Sequence, residues 1–186
     1  MPTYGPRFPG TVESIAPGEN AWAGLDNVKA SNGLDASVAP VSEGDTTQFL
    51  RATNFGFVIP ANETIVGIEF HARGAAGAEE AHSTRILKVT TPVGDLLNNA
   101  NTIFRAQPNF PVTATDGGPT ELHGLEWTPA EINASTFGFQ MKGFLTTDAG
   151  FTFLVDYMSI TVYTASTGGF LSARRNIGMG MGMGIG

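Results

Sequence analysis

The chain has 186 residues, no cysteine, and seventeen acidic against ten basic side chains, for a formal charge of −7. Without cysteine there are no disulfides, thiolate zinc sites or cysteine nucleophiles. The scattered net negative charge argues against general nucleic-acid binding. No run of apolar residues is long enough to suggest a membrane span. Twenty-four glycines and thirteen phenylalanines, with few helix-forming lysines and glutamates, point to strands and tight turns.

In chain order, residues 1–20 hold four prolines and little periodicity. They read as an extended N-terminal arm, because proline lacks a backbone donor and resists central strands. The start, Met1-Pro2-Thr3-Tyr4-Gly5-Pro6, has no basic stretch leading into an apolar run, so no secretory signal of the usual form is expected. Residues 21–164 form the expected folded domain. Residues 47–59 are rich in aromatic and β-branched types and end at the Pro60-Ala61-Asn62 turn. Residues 64–73 alternate: Val66, Ile68, Phe70 and Ala72 share one face, and Glu69, His71 and Arg73 the other. A small, acidic loop follows. A strand over 84–91 stops at Pro92, and a weaker one spans 102–106.

Residues 107–120 contain three prolines and Asp116-Gly117-Gly118, and read as the longest irregular stretch in the domain. A strand is assigned to 122–127. Thr128-Pro129-Ala130-Glu131 has a cap residue, a proline at the first helical position and a glutamate three residues after the threonine, which predicts a short capped helix. Residues 136–143 alternate with Phe137, Phe139 and Met141 inward. The last strand, 151–164, is the longest. Its apolar residues switch parity near Asp156-Tyr157, which predicts a β-bulge. About eight strands at this spacing, with one short helix, predict an all-β, antiparallel two-sheet sandwich of jelly-roll type, with extended arms at both ends.

The motif Thr53-Asn54-Phe55-Gly56-Phe57 recurs as Ser135-Thr136-Phe137-Gly138-Phe139. A packing device used twice explains it, and the echo is too short to indicate a duplicated half-domain. The predicted core contains Phe55, Phe57, Val66, Ile68, Phe70, Phe137, Phe139, Phe153, Ile160 and Val162.

No catalytic, cofactor-binding or metal-binding residue is assigned. His71 lies on a polar strand face, and His82 and His123 are read as loop or strand-edge residues; no two histidines are spaced as metal ligands. There is no Gly-x-Ser-x-Gly nucleophile turn and no phosphate loop. Asp45, Asp95, Asp116 and Asp148 sit beside turn residues, which accounts for them; a calcium ion shared by two such loops is the alternative. Asn62-Glu63-Thr64 and Asn133-Ala134-Ser135 match the glycosylation pattern, which carries little weight without a secretory signal. Trp22 and Trp127, with Tyr163 beside them, are the candidates for an aromatic glycan platform; packing in the core or at its edge is the competing account of both tryptophans.

Residues 165–186 form the expected C-terminal arm. In Gly178-Met179-Gly180-Met181-Gly182-Met183-Gly184-Ile185-Gly186, an extended backbone puts every Met and Ile on one side and every glycine on the other, and Ile177 continues the stripe. Glycine permits close backbone approach and methionine adapts to irregular apolar surfaces. The expected assembly contacts are therefore Arg174, Arg175, Ile177, Met179, Met181, Met183 and Ile185, docked on neighbouring subunits or packed round a symmetry axis; a tail folded back on its own domain is the alternative.

Residues 53–60, then Ile65-Val66-Gly67-Ile68-Glu69-Phe70 and Arg73, together with Trp22, Asn32-Gly33-Leu34-Asp35-Ala36 and residues 155–163, resemble the β-sandwich structural proteins of tailed bacteriophages. These include head decoration, head fibre and tail appendage proteins. The similarity covers residues 20–164 and brings no catalytic residues with it. It implies a non-enzymatic, cofactor-free virion protein whose partners are copies of itself and neighbouring virion proteins, with no membrane partner. The alternative is a carbohydrate-binding module or adhesin on a phage tail or cell surface.

Overall fold

In the computed structural model, residues 1–18, 20–41, 44–75, 81–87, 102–105, 112–144 and 151–166 are described. They contain ten strands: β1 (Thr3–Arg7), β2 (Thr11–Ile15), β3 (Ala36–Val41), β4 (Phe49–Thr53), β5 (Glu63–Ala75), β6 (Ala81–Leu87), β7 (Thr102–Arg105), β8 (Val112–Gly118), β9 (Gly138–Phe144) and β10 (Phe151–Ser166). A 3-10 turn covers Leu25–Val28 and one short helix, α1, covers Pro129–Asn133.

All strand pairs are antiparallel. One five-stranded sheet has the order β1-β10-β5-β8, with β3 also paired to β10, and the other five-stranded sheet has the order β2-β4-β9-β6-β7. Along the chain, β3 and β5 lie in the first sheet, β4 and β6 in the second, then β7 in the second, β8 in the first, β9 in the second and β10 in the first. The eight strands β3 to β10 follow the jelly-roll arrangement, four in each sheet, and β1 and β2 bring each sheet to five. The expected all-β sandwich is the observed fold.

The N-terminal residues depart from the expected arm. β1 pairs with the second half of β10, end to end with β3, which pairs with its first half. β2 extends the other sheet beside β4. Pro6 is accommodated because β1 is an edge strand, where a missing donor costs no ladder bond on the solvent side, and Pro2, Pro9 and Pro17 fall outside the strands.

The core lies between the sheets. Ile68, Phe70 and Ala72 of β5 stand opposite Val162, Ile160 and Met158 of β10, and all six are buried. From the other sheet come Leu50 and Ala52, paired with Met141 and Phe139. The two Phe-Gly-Phe motifs interlock: Phe55 stacks on Phe139 at 6.2 Å, Phe57 meets Phe137 edge-on at 6.1 Å, and Phe139 reaches Phe70 across the sandwich at 4.9 Å. Of the ten predicted core residues, Val66 alone is only half-buried; Ile65 is buried in its place. The pairing of β10 with β5 shifts register between Tyr163↔Gly67 and Thr164↔Ile65. A bulge at Val66 therefore reverses the alternation at the start of β5. The bulge expected near Asp156-Tyr157 is present, as a register shift between Val155 and Tyr157.

Three segments differ from expectation. The strand over 47–59 ends at Thr53, because Asn54 (φ 59°) and Gly56 (φ 64°) adopt left-handed conformations. Phe55, Phe57 and Ile59 still point inward, and the Asn133 side chain substitutes for a neighbouring strand. It accepts the Ile59 N–H at 2.8 Å and donates to the Ile59 carbonyl at 2.9 Å. Residues 112–118, expected to be irregular, form the edge strand β8. Residues 122–127 form turns rather than a strand, with His123 (φ 56°) and Gly124 (φ 73°) left-handed. The capping box is as expected: Thr128 Oγ1 accepts from the Glu131 N–H, and the Glu131 carboxylate accepts from the Thr128 N–H at 2.8 Å.

Candidate binding surface

The outer face of the β10-β5-β8 layer is polar because β5 and β10 alternate. Cross-strand pairing makes rows on this face: Thr161-Glu69-Gly117, Ser159-His71-Thr115 and Tyr157-Arg73-Thr113. His71 Nε2 lies 2.6 Å from Glu69 Oε1, and its Nδ1 lies 3.1 Å from Thr115 Oγ1. The Tyr163 hydroxyl donates to Glu69 Oε2 at 3.2 Å. Desolvation first, and then the Glu69 carboxylate, push the Tyr163 phenol above its ordinary value of 10.0. Thr115, His71 and Glu69 thus form a hydrogen-bonded chain. The backbone N–H groups of β5 beneath it lie in the sheet plane, bonded to β10 and β8. None of those donors is aimed above the face where a developing oxyanion would sit.

The chain between β1 and β2 passes over one side of this face. Phe8 meets the Tyr157 ring edge-on, with centroids 5.9 Å apart, and is 37% exposed. This pair borders an open groove of about 400 Å³, lined also by Pro6, Ser31, His71, Ser159 and Thr161. Ser159 and Thr161 are only 2% and 7% exposed. Among the described residues, neither hydroxyl has a hydrogen-bond partner. Two titratable side chains stand in the lining, Tyr157 and His71, and His71 is paired with Glu69.

The Ser31 end of the groove is held by Asp156, the residue at the β10 bulge. Its buried carboxylate accepts the Asn32 and Gly33 N–H groups at 3.3 and 3.0 Å through Oδ1. Through Oδ2 it binds Arg73 Nη1 at 2.6 Å. The Asn32-Gly33 turn and residues 155–157, separate in sequence, are one structural unit. Asp35, close to this unit, has its carboxyl raised above the ordinary 3.8 by burial and then by the Asp156 charge, with Arg73 acting in the opposite direction.

The predicted glycan platform is corrected. Trp22 and Trp127 are 5% and 7% exposed. Trp22 packs against Phe153 and donates its indole N–H to the Gln48 carbonyl at 2.8 Å. Trp127 packs against Phe137 and donates to the Leu122 carbonyl at 3.1 Å. The flat, half-polar indoles close the ends of the core and leave no ring face for a sugar. His123, read as a loop or edge residue, lies in a loop but is buried; its Nε2 is 3.1 Å from the Ile68 carbonyl, and its ring lies against Phe70. Asn133, in one glycosylation-like triplet, has its amide engaged with Ile59. Arg174, Arg175, Ile177, Met179, Met181, Met183 and Ile185 lie outside the described residues, as do Asp95 and Asp148 and the side chain of His82.

Among the described residues no three His, Cys, Asp or Glu side chains converge as metal ligands. No helix among them is long and apolar enough to cross a membrane. The sequence matches no protein-family model and no curated protein sequence. Sequence reasoning placed His71 and its polar face but missed the groove. The outward positions Tyr157, Ser159 and Thr161 follow from the β10 bulge. Phe8 could not be placed, because its segment carries no periodic pattern.

Proposed function

We propose that this chain is a non-enzymatic structural subunit of a bacteriophage particle, an accessory or decoration protein attached through the segment that follows β10. The observation that carries this reading is the position of β10. It is the longest described strand, at 16 residues, and it is flanked by β5 on one side and by β1 and β3 on the other. An arm that continues from such a strand transmits load into the middle of a sheet rather than peeling away an edge. The residues that continue it carry the Gly-Met stripe, whose period-two alternation suits pairing with a partner's strand or packing in an apolar seam. Ordering such an arm costs entropy, which attachment at several points on a lattice offsets. The partners on this reading are further copies of the chain and neighbouring virion proteins.

The test compares the full chain with a chain ending at Ser166. Light scattering measures self-association, and co-sedimentation with particles lacking the subunit measures attachment. The shortened chain should remain folded by circular dichroism and lose both. Equal association by the two chains overturns the proposal.

A further inference from the structure

We infer that the groove between the β1–β2 connection and the outer face of β10 is a binding site for a neutral saccharide. Ser159 and Thr161 carry the argument. A buried hydroxyl in a folded protein almost always has a hydrogen-bond partner, supplied by protein, water or ligand. These two are at least nine-tenths buried, line the groove, and have no partner among the described residues. Whatever occupies the groove must offer donors and acceptors to them. Hydroxyl groups on both sides meet that need, because each can donate and accept.

The walls narrow the ligand class. Phe8 and Tyr157 present aromatic surface and Pro6 an apolar ring, which suits the C–H face of a sugar ring. His71 is already paired with Glu69, and Arg73 behind it with Asp156. No uncompensated cation in the lining awaits a phosphate, sulfate or carboxylate. The open groove, at about 400 Å³, falls within the roughly 300 to 1,000 Å³ typical of small-ligand sites. A polyhydroxylated, uncharged ring with one apolar face satisfies all of these conditions. The site is separate from the arm after β10 and holds whether or not the subunit is attached to a particle.

The experiment uses the full chain on an array of immobilised neutral, sialylated and sulfated oligosaccharides, followed by calorimetry with the strongest neutral binder. Neutral oligosaccharides should give the signal. Ser159→Ala and Thr161→Val should each weaken binding by up to about tenfold, the effect of one lost hydrogen bond. Tyr157→Ala should remove most of it, and all three variants should keep the wild-type circular dichroism spectrum. Val58→Ser, at an exposed position away from the groove lining, should bind like wild type. The inference is overturned if no neutral oligosaccharide binds, which leaves the hydroxyls to water. It is also overturned if charged glycans are preferred, or if the groove variants change oligomer mass and leave sugar binding intact, since the occupant is then another copy of the chain.

Discussion

Asp156 carries a charge at a position 2% exposed, on a strand whose neighbouring inward residues are apolar. It is tolerated because its bulge turns the carboxylate toward two backbone N–H groups and Arg73. Asp156→Ala leaves those donors unmet and should cost about 3 kcal/mol in urea unfolding, the low end for a broken buried pair because Arg73 is partly exposed. Asp156→Asn keeps an acceptor for the Asn32 and Gly33 N–H groups and should cost less. Asp35 responds in the opposite sense. Its carboxyl titrates above the ordinary 3.8 when folded, so the folded state favours the protonated form. That contribution is fully present below pH 3.8 and is lost as pH rises through the raised value. Asp35→Asn should therefore raise the melting temperature at pH 7, with the gain vanishing below about pH 4. The bulge itself was legible, because apolar residues changed parity at Asp156. The bulge at Val66 was not, because Ile65 and Val66 are both apolar and either could face the core. Ile65→Ala should destabilise by about 2 kcal/mol or more and Val66→Ala by under about 1 kcal/mol, the order set by burial.

Elements were legible where one local signal dominated. The capping box fixed α1, and strict alternation fixed most of β5, β9 and β10. β8 was hidden because Pro111, Pro119 and Asp116-Gly117-Gly118 read as loop. An edge strand bonded, among the described residues, to β5 alone tolerates such residues, as an interior strand does not. The end of β4 was hidden for the converse reason. Phe55, Phe57 and Ile59 keep strand-like alternation after the ladder stops, and the Asn133 amide bonds both backbone groups of Ile59 at its end. The two Phe-Gly-Phe glycines, alike in sequence, do different things. A Cβ at Gly138 would lie 1.9 Å from the Ala52 carbonyl oxygen, within the β4–β9 ladder. Gly56 has open space but φ 64°. Gly138→Ala should force the strands apart and cost about 3 kcal/mol or more by chemical denaturation. Gly56→Ala should cost only about 1 kcal/mol, the penalty of a left-handed backbone for an L-residue.

At the scale of the whole molecule, the two ends of the sequence looked alike as arms, yet the structure gives the first of them a place in the sandwich. β1 covers the edge of β10 from Ile160 to Tyr163. Thr164 donates its N–H to the Pro2 carbonyl at 3.0 Å, and Tyr4 donates to Glu63 at 2.9 Å. Phe8 then crosses to Tyr157. Removing residues 1–9 uncovers a row of β10 backbone groups and half of the groove wall. Breaking several ladder bonds and separating the Phe8 and Tyr157 rings should cost about 3 kcal/mol, which for a chain of this size corresponds to a melting temperature about 10 °C lower. Removing residues 167–186 takes away none of the pairs that build the two described sheets, which are complete through Ser166. That truncation should move the melting temperature by less than about 2 °C in calorimetry. The two deletions should also separate by function. The first should abolish sugar binding through loss of Pro6 and Phe8 while sparing the attachment segment, and the second should abolish self-association while sparing the groove. If both deletions destabilise equally, the C-terminal segment is part of the sandwich, and an arm continuing from β10 is no longer free to reach a neighbour.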